Sequence, residues 1–147
     1  MNPVFVDTSV LIAAEDTGNG ALYAAVLAWL DLLWRTRTGR TANQSLVEFY
    51  DQVTTDAQPM SQGDARAAIR RYQTWNPWKT DAATLETAWA VQARHALSFA
   101  DCLAVACAQH SGCEHMLTLH LPHGAQYGGV TMVHPLQMAP HTESEGA

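Results

Sequence analysis

The chain has 147 residues, of which 48% are hydrophobic and 15% charged, enough apolar side chain for one buried core and too much for an intrinsically disordered protein. A formal net charge of -6 excludes a protein that coats nucleic acid through bulk attraction. No stretch approaches the roughly 20 apolar residues of a membrane span, the start MNPVFVDTSVLIAAED lacks a basic targeting region, and the odd set Cys102, Cys107 and Cys113 does not form a disulfide framework, so a cytoplasmic protein with reduced thiols is expected.

Val4 to Val6 is short, apolar and β-branched and ends at Asp7, the pattern of a buried first strand whose end delivers a carboxylate. Thr8 to Ala14 turns helical. After the TGNG break, Leu22, Val26, Leu30 and Leu33 recur at helical spacing and predict a long helix over Ala21 to Arg35. Further helices are expected over Ser45 to Thr54, Ser61 to Thr74, Asp81 to His95 and Phe99 to His110, with Pro59 and Pro77 as breakers between them. His115 to Leu119 and Val130 to Val133 are too short for helices and read as strands around the Gly-rich turn PHGAQYGG. The order predicts an α/β layer structure, with helices on both faces of a short, mostly parallel sheet, in one domain over residues 1–137 and a polar tail over 138–147. Ligand sites in such sheets lie beyond the C-terminal strand ends, so Asp7 and His120 should share one edge.

Three acids then stand out: Asp7, Glu48 in QSLVEFY and Asp101 in LSFADCLAVA. Two of them have a structural explanation, because Ser45 to Glu48 and Ser98 to Asp101 both fit the capping box, as does Ser61 to Asp64. Glu48 and Asp101 differ from Asp64 in lying within apolar sequence, where an unpaired charge is costly and a bound cation would relieve the cost. Three carboxylates form an oxygen-rich donor set suited to Mg2+ or Mn2+, and a metal so held supports phosphodiester hydrolysis. Thr8 and Ser9 would hold the turn, cap the helix or bind a metal-bound water. All eight basic residues lie between Arg35 and Arg94, in the clusters Arg35, Arg37, Arg40 and Arg66, Arg70, Arg71 plus Lys79 and Arg94, as solvated helix faces or as partners for phosphate flanking the acids.

VFVDTSVL, SLVEFY, LSFADCLAVACAQHSGC and HMLTLHLPHGAQYGGVTMVHPL together resemble the PIN domain in its small bacterial toxin form, from about Val4 to Pro135. The resemblance implies a three-layer α/β/α sandwich and the toxin of a type II toxin-antitoxin pair, a Mg2+- or Mn2+-dependent endoribonuclease. It places Asp7, Glu48 and Asp101 on the acidic cluster as catalytic and metal-binding residues. It also implies an RNA substrate, a homodimer and a small antitoxin, for which Trp29, Leu30, Leu33 and Trp34 would line a groove or else belong to the core. Members usually carry Asp where this chain has His120, often after Glu where this chain has Leu119. Imidazole suits Mn2+ or Zn2+ better than Mg2+, so a slower, Mn2+-shifted or inactive enzyme is expected.

Three other readings compete. A degenerate PIN-like module would bind RNA or a partner without cutting. The crowd of Cys107, His110, Cys113, His115, His120 and His123 suggests zinc, but no CxxC pair is present and a strand would point His115 and His120 to opposite faces. A phosphotransferase built on VDTSV, like the haloacid dehalogenases, would need a second Asp where Ser9 stands.

Overall fold

A computed structural model describes residues 2–55 and 60–141. Pro59 and most of the polar tail lie outside them. The first strand, β1 (Val4–Val6), runs into α1 (Thr8–Ala13), followed by α2 (Gly20–Thr36), the short strand β2 (Gly39–Arg40), α3 (Asn43–Thr54), α4 (Gln62–Tyr72), a 3-10 turn (Gln73–Trp75), α5 (Ala82–Arg94) and α6 (Phe99–His110). The chain then returns through β3 (His115–Leu117), β4 (Gln126–Tyr127) and β5 (Val130–Val133). Among the described residues, no helix is long and apolar enough to cross a membrane.

The five strands form one sheet in the order β2, β1, β3, β5, β4, parallel throughout except for β4, which pairs antiparallel with β5. Side chains alternate across it, as strand geometry requires. Val4 and Val6 of β1, Leu117 of β3 and Val133 of β5 join a core with residues of α1 to α4. Phe5, Met116 and Met132 face the opposite way and pack with α5 and α6. The continuous apolar reading of VFV thus reflects a strand buried on both faces, and the α/β/α sandwich expected from the sequence follows from it.

Three details differ from the expectations. The strands β2 and β4 have two residues each, too few for a periodic pattern. Helix α3 begins at Asn43, so Ser45 lies inside it and does not cap it. The helix start is set from a distance: Asn43 N-H donates to the Trp78 carbonyl and Trp78 N-H to the Thr41 carbonyl, both at 3.0 Å. Ser98 and Ser61, by contrast, cap α6 and α4 through bonds from the N-H groups of Asp101 and Asp64.

Candidate active site

The parallel strands β1 and β3 end side by side, with Val6 in register with Leu117. Asp7 therefore leaves the sheet next to Thr118, Leu119 and His120, and α3 and α6 bring Glu48 and Asp101 to the same edge. Asp7, Glu48, Asp101 and His120 line one cleft of about 420 Å³, together with Thr8, Ser9 and Ser98. The structure gathers all three sequence-predicted acids and His120, while among the described residues no arginine or lysine lines the cleft. Of the two readings of the arginine clusters, their absence from this cleft favours solvated helix faces over phosphate partners beside the acids.

Asp7 is 5% exposed. Its Oδ2 accepts from Ser9 Oγ at 2.9 Å and from Thr118 Oγ1 at 3.1 Å. Burial pushes its carboxyl above the ordinary value, and those hydroxyls together with the nearby His120 only partly offset the effect. Ser9 serves twice, since its Oγ also accepts the Leu119 N-H at 3.1 Å and so ties the end of β3 to the start of α1. Thr8 lends its hydroxyl to Glu48: Oγ1 donates to Oε2 at 3.0 Å, while Gln44 Nε2 donates to Oε1 at 3.3 Å. With Ser45 interior to α3, Glu48 is not held by a capping box; it stands half-buried, one turn into a helix whose other face, Leu46, Phe49 and Val53, is in the core.

His120 occupies the space between two acids. Its Nε2 lies 2.6 Å from Asp101 Oδ1, and its Nδ1 lies 3.8 Å from Asp7 Oδ2. Partial burial lowers the imidazole pKa, but the hydrogen bond to Asp101 and the charges of Asp101 and Asp7 outweigh it, so the net direction is upward. An imidazolium here is a built-in counter-ion for both carboxylates.

Donor chemistry fits a hard divalent cation: three carboxylates and three hydroxyls face one polar cleft, and one of those carboxylates is buried beyond what its hydrogen bonds compensate. Asp7, Glu48 and Asp101 would hold it. The zinc grouping is dispersed. Cys107 and Cys113 are buried, their thiols pushed up to about 11 and about 12 by desolvation, and His110 Nε2 pairs with Thr87 Oγ1 at 2.8 Å. Among the described residues no three His, Cys, Asp or Glu side chains converge on one point as they stand.

The sequence profile of the PIN domain matches residues 4–119. The chain belongs to the PIN domain family. Solved structures of similar fold include three bacterial ones. VapC20 of Mycobacterium tuberculosis, described as a sarcin-ricin loop cleaving toxin, is 22% identical with a TM-score of 0.58, covering 77% of this chain and 86% of that one. VapBC2 of Rickettsia felis, bound to a DNA fragment from its promoter, is 11% identical with a TM-score of 0.61, covering 89% and 97%. DNA-bound VapBC of Salmonella typhimurium is 13% identical with a TM-score of 0.67, covering 92% and 99%. Comparison with curated protein sequences gives no match.

Within this PIN domain, the early helix takes the core reading of the two that its sequence allowed. Trp29, Leu30 and Leu33 are buried core residues at 2%, 4% and 1% exposure, leaving only half-buried Trp34 of the proposed groove partly open. Thr118 was not singled out in the sequence, although it is fully buried and bonds directly to Asp7. Its place two residues before His120, which was expected to share an edge with Asp7, was the available signal.

Proposed function

We propose that this PIN domain is the toxin of a type II toxin-antitoxin pair, acting in the cytoplasm as a divalent-metal-dependent endoribonuclease, working as a homodimer and restrained by a small antitoxin. The observation that carries the reading is the buried Asp7 carboxylate sharing one cleft with Glu48 and Asp101 in a chain of this family. Similarity in fold to a toxin described as cleaving the sarcin-ricin loop and to VapBC assemblies supports it.

The chain's own groups divide the work. Ser9 and Thr118 both bind Oδ2 of Asp7 and so fix the carboxylate at the cleft wall. Thr8 orients Glu48 through one oxygen. A Mg2+ or Mn2+ ion held by Asp7, Glu48 and Asp101 would polarise a phosphate oxygen and acidify a bound water. His120, where members usually carry Asp, replaces an anion with a group that pairs with Asp101 and competes for the same carboxylate, which weakens Mg2+ use and favours Mn2+.

Cleavage of single-stranded RNA across metals tests this. The native protein should cut faster in Mn2+ than in Mg2+, His120→Asp should gain activity in Mg2+, and Asp7→Asn should abolish cutting in both. Equal full activity of the native protein and His120→Asp in Mg2+ would remove the role given to His120. The second reading, a PIN-like module that binds RNA or a partner without cutting, is favoured by the imidazole standing between Asp7 and Asp101. RNA binding with no cleavage in any metal, restored by His120→Asp, would establish it.

A further inference from the structure

A second cleft of about 730 Å³ opens beside the edge strand β2, lined chiefly by Trp34, Arg37, Arg40, Trp75, Trp78 and His110. Among the described residues, no acidic side chain lines it. In a chain of net charge -6, two of its eight basic side chains thus face one aromatic hollow. Neither arginine forms an ion pair among the described residues. Arg40 is steadied instead by neutral acceptors, its Nη1 donating to the carbonyls of Gly39 at 2.8 Å and Arg37 at 3.3 Å. Asp81, whose charge reaches His110, is committed to capping α5 through Thr84.

The aromatic rings form two tilted pairs, and Trp34 also stacks on Tyr72. Trp34 and Trp75 lie 4.5 Å apart between ring centroids, and Trp78 lies 5.6 Å from His110. Trp75 packs over Gly39 so closely that a Cβ there would run into its ring, and its Nε1-H is buried with no partner among the described residues. Among the described residues, only two non-glycine residues have positive φ, Arg37 at 59° and Asn76 at 52°, and both line this cleft. Asparagine tolerates that backbone; arginine adopts it at a cost that glycine would avoid.

We infer that this cleft is a second RNA site, distinct from the acid cleft, in which an unpaired stretch of the strand lays bases against the indoles of Trp34 and Trp78 and sets its phosphates on Arg37 and Arg40. Flat aromatic faces beside unpaired guanidinium groups are the pairing that single-stranded nucleic acid uses, stacking on every base and charge on every phosphate. An acidic polypeptide would use the cations but has no need of the indole surfaces. Helix α6 links the two clefts, with Asp101 in its first turn and His110 in its last, nine residues or about 14 Å apart along the axis. One RNA strand of a few nucleotides bridges that distance. The inference rests on RNA being the substrate.

The test measures binding of a labelled short single-stranded RNA by fluorescence anisotropy, in metal-free buffer and in an Asp7→Asn background so that the strand stays intact. Arg37→Gly with Arg40→Gln removes both charges and keeps the fold, since glycine takes the left-handed backbone freely. The double substitution is expected to weaken affinity at least tenfold, lower the salt slope by about one to two phosphate contacts, and shift RNA quenching of tryptophan fluorescence to correspondingly higher RNA concentration. Unchanged affinity and slope would overturn the inference. So would absence of RNA binding, or quenching by a polyglutamate peptide and not by RNA. Cleavage by the native protein is scored separately. Arginine-dependent binding without cutting keeps this cleft and removes the nuclease reading; cutting with arginine-independent binding does the reverse.

Discussion

Asp7 concentrates the tension between stability and function in one side chain. Ser9 and Thr118 bond its Oδ2, yet desolvation dominates and its pKa lies above the ordinary carboxylate value in the folded protein. A raised folded pKa means that the folded form holds its proton more tightly than the unfolded chain. The stabilisation is therefore complete below the ordinary carboxylate value and lost as pH rises through the raised one, so at neutral pH the buried charge weighs against folding. His120 carries the same sign: its contribution is full below the ordinary imidazole value of about 6.5 and disappears as pH rises through its raised value. Metal-free protein should thus lose thermal stability as pH rises above the ordinary carboxylate range, through Asp7, and again above about 6.5, through His120. Asp7→Asn keeps an acceptor for Ser9 and Thr118 and removes the charge, so it should raise the neutral-pH stability of the metal-free protein by roughly 0.5–2 kcal/mol while abolishing cleavage. Thermal melts across pH decide it; a lowered melting temperature for Asp7→Asn would contradict the account of a desolvated carboxylate.

Among the elements, β2 shows what a two-residue strand can control. It pairs with β1 through Val4 and Phe5, and its Gly39 gives the Trp75 ring a flat backbone to lie on. Gly39→Ala would force a methyl into that ring, and because Trp75 also packs against Trp34 and Tyr72, the whole aromatic group would have to move. The substitution should cost about 1–3 kcal/mol, as overpacking in a filled core does, and should reduce the ellipticity of coupled tryptophans in the near ultraviolet. A variant as stable as the native protein with unaltered aromatic signals would refute the close packing. Strand β2 was invisible to periodicity for the same reason that it matters: its role lies in what crosses it. The start of α3 was misplaced likewise, because the partner of Asn43 is the Trp78 carbonyl, 35 positions away, whereas the caps of α4 and α6 are local and were legible in Ser61 and Ser98. Glu48 emerged as a better candidate for the site once its capping explanation failed.

At the scale of the molecule, the sheet order was the unwritten part. The order of apolar segments indicates an α/β layer fold, and VFV followed by Asp7 indicates a strand end with a carboxylate, but only the parallel pairing of β1 with β3 brings Thr118 to Asp7 across 111 positions and His120 between Asp7 and Asp101. That topology leaves a negative cleft at one place and, by the reading above, a cationic aromatic one at another, so ion binding and RNA binding should be separable. A ligand that binds only the folded chain stabilises it by RT ln(1 + [L]/Kd), about 2.7 kcal/mol at a hundredfold excess over Kd, which for a domain of this size raises Tm by roughly 5–11 °C. Mn2+ should produce such a rise in the native protein, and Mg2+ a smaller one. Asp7→Asn should flatten both responses, having removed the buried carboxylate that favours a cation. Arg37→Gly with Arg40→Gln should leave the Mn2+ response intact, because neither side chain lines the acid cleft. If neither ion moves the melting temperature of the native protein, the imidazole of His120 already neutralises the cluster, and the binding module without catalysis becomes the better description.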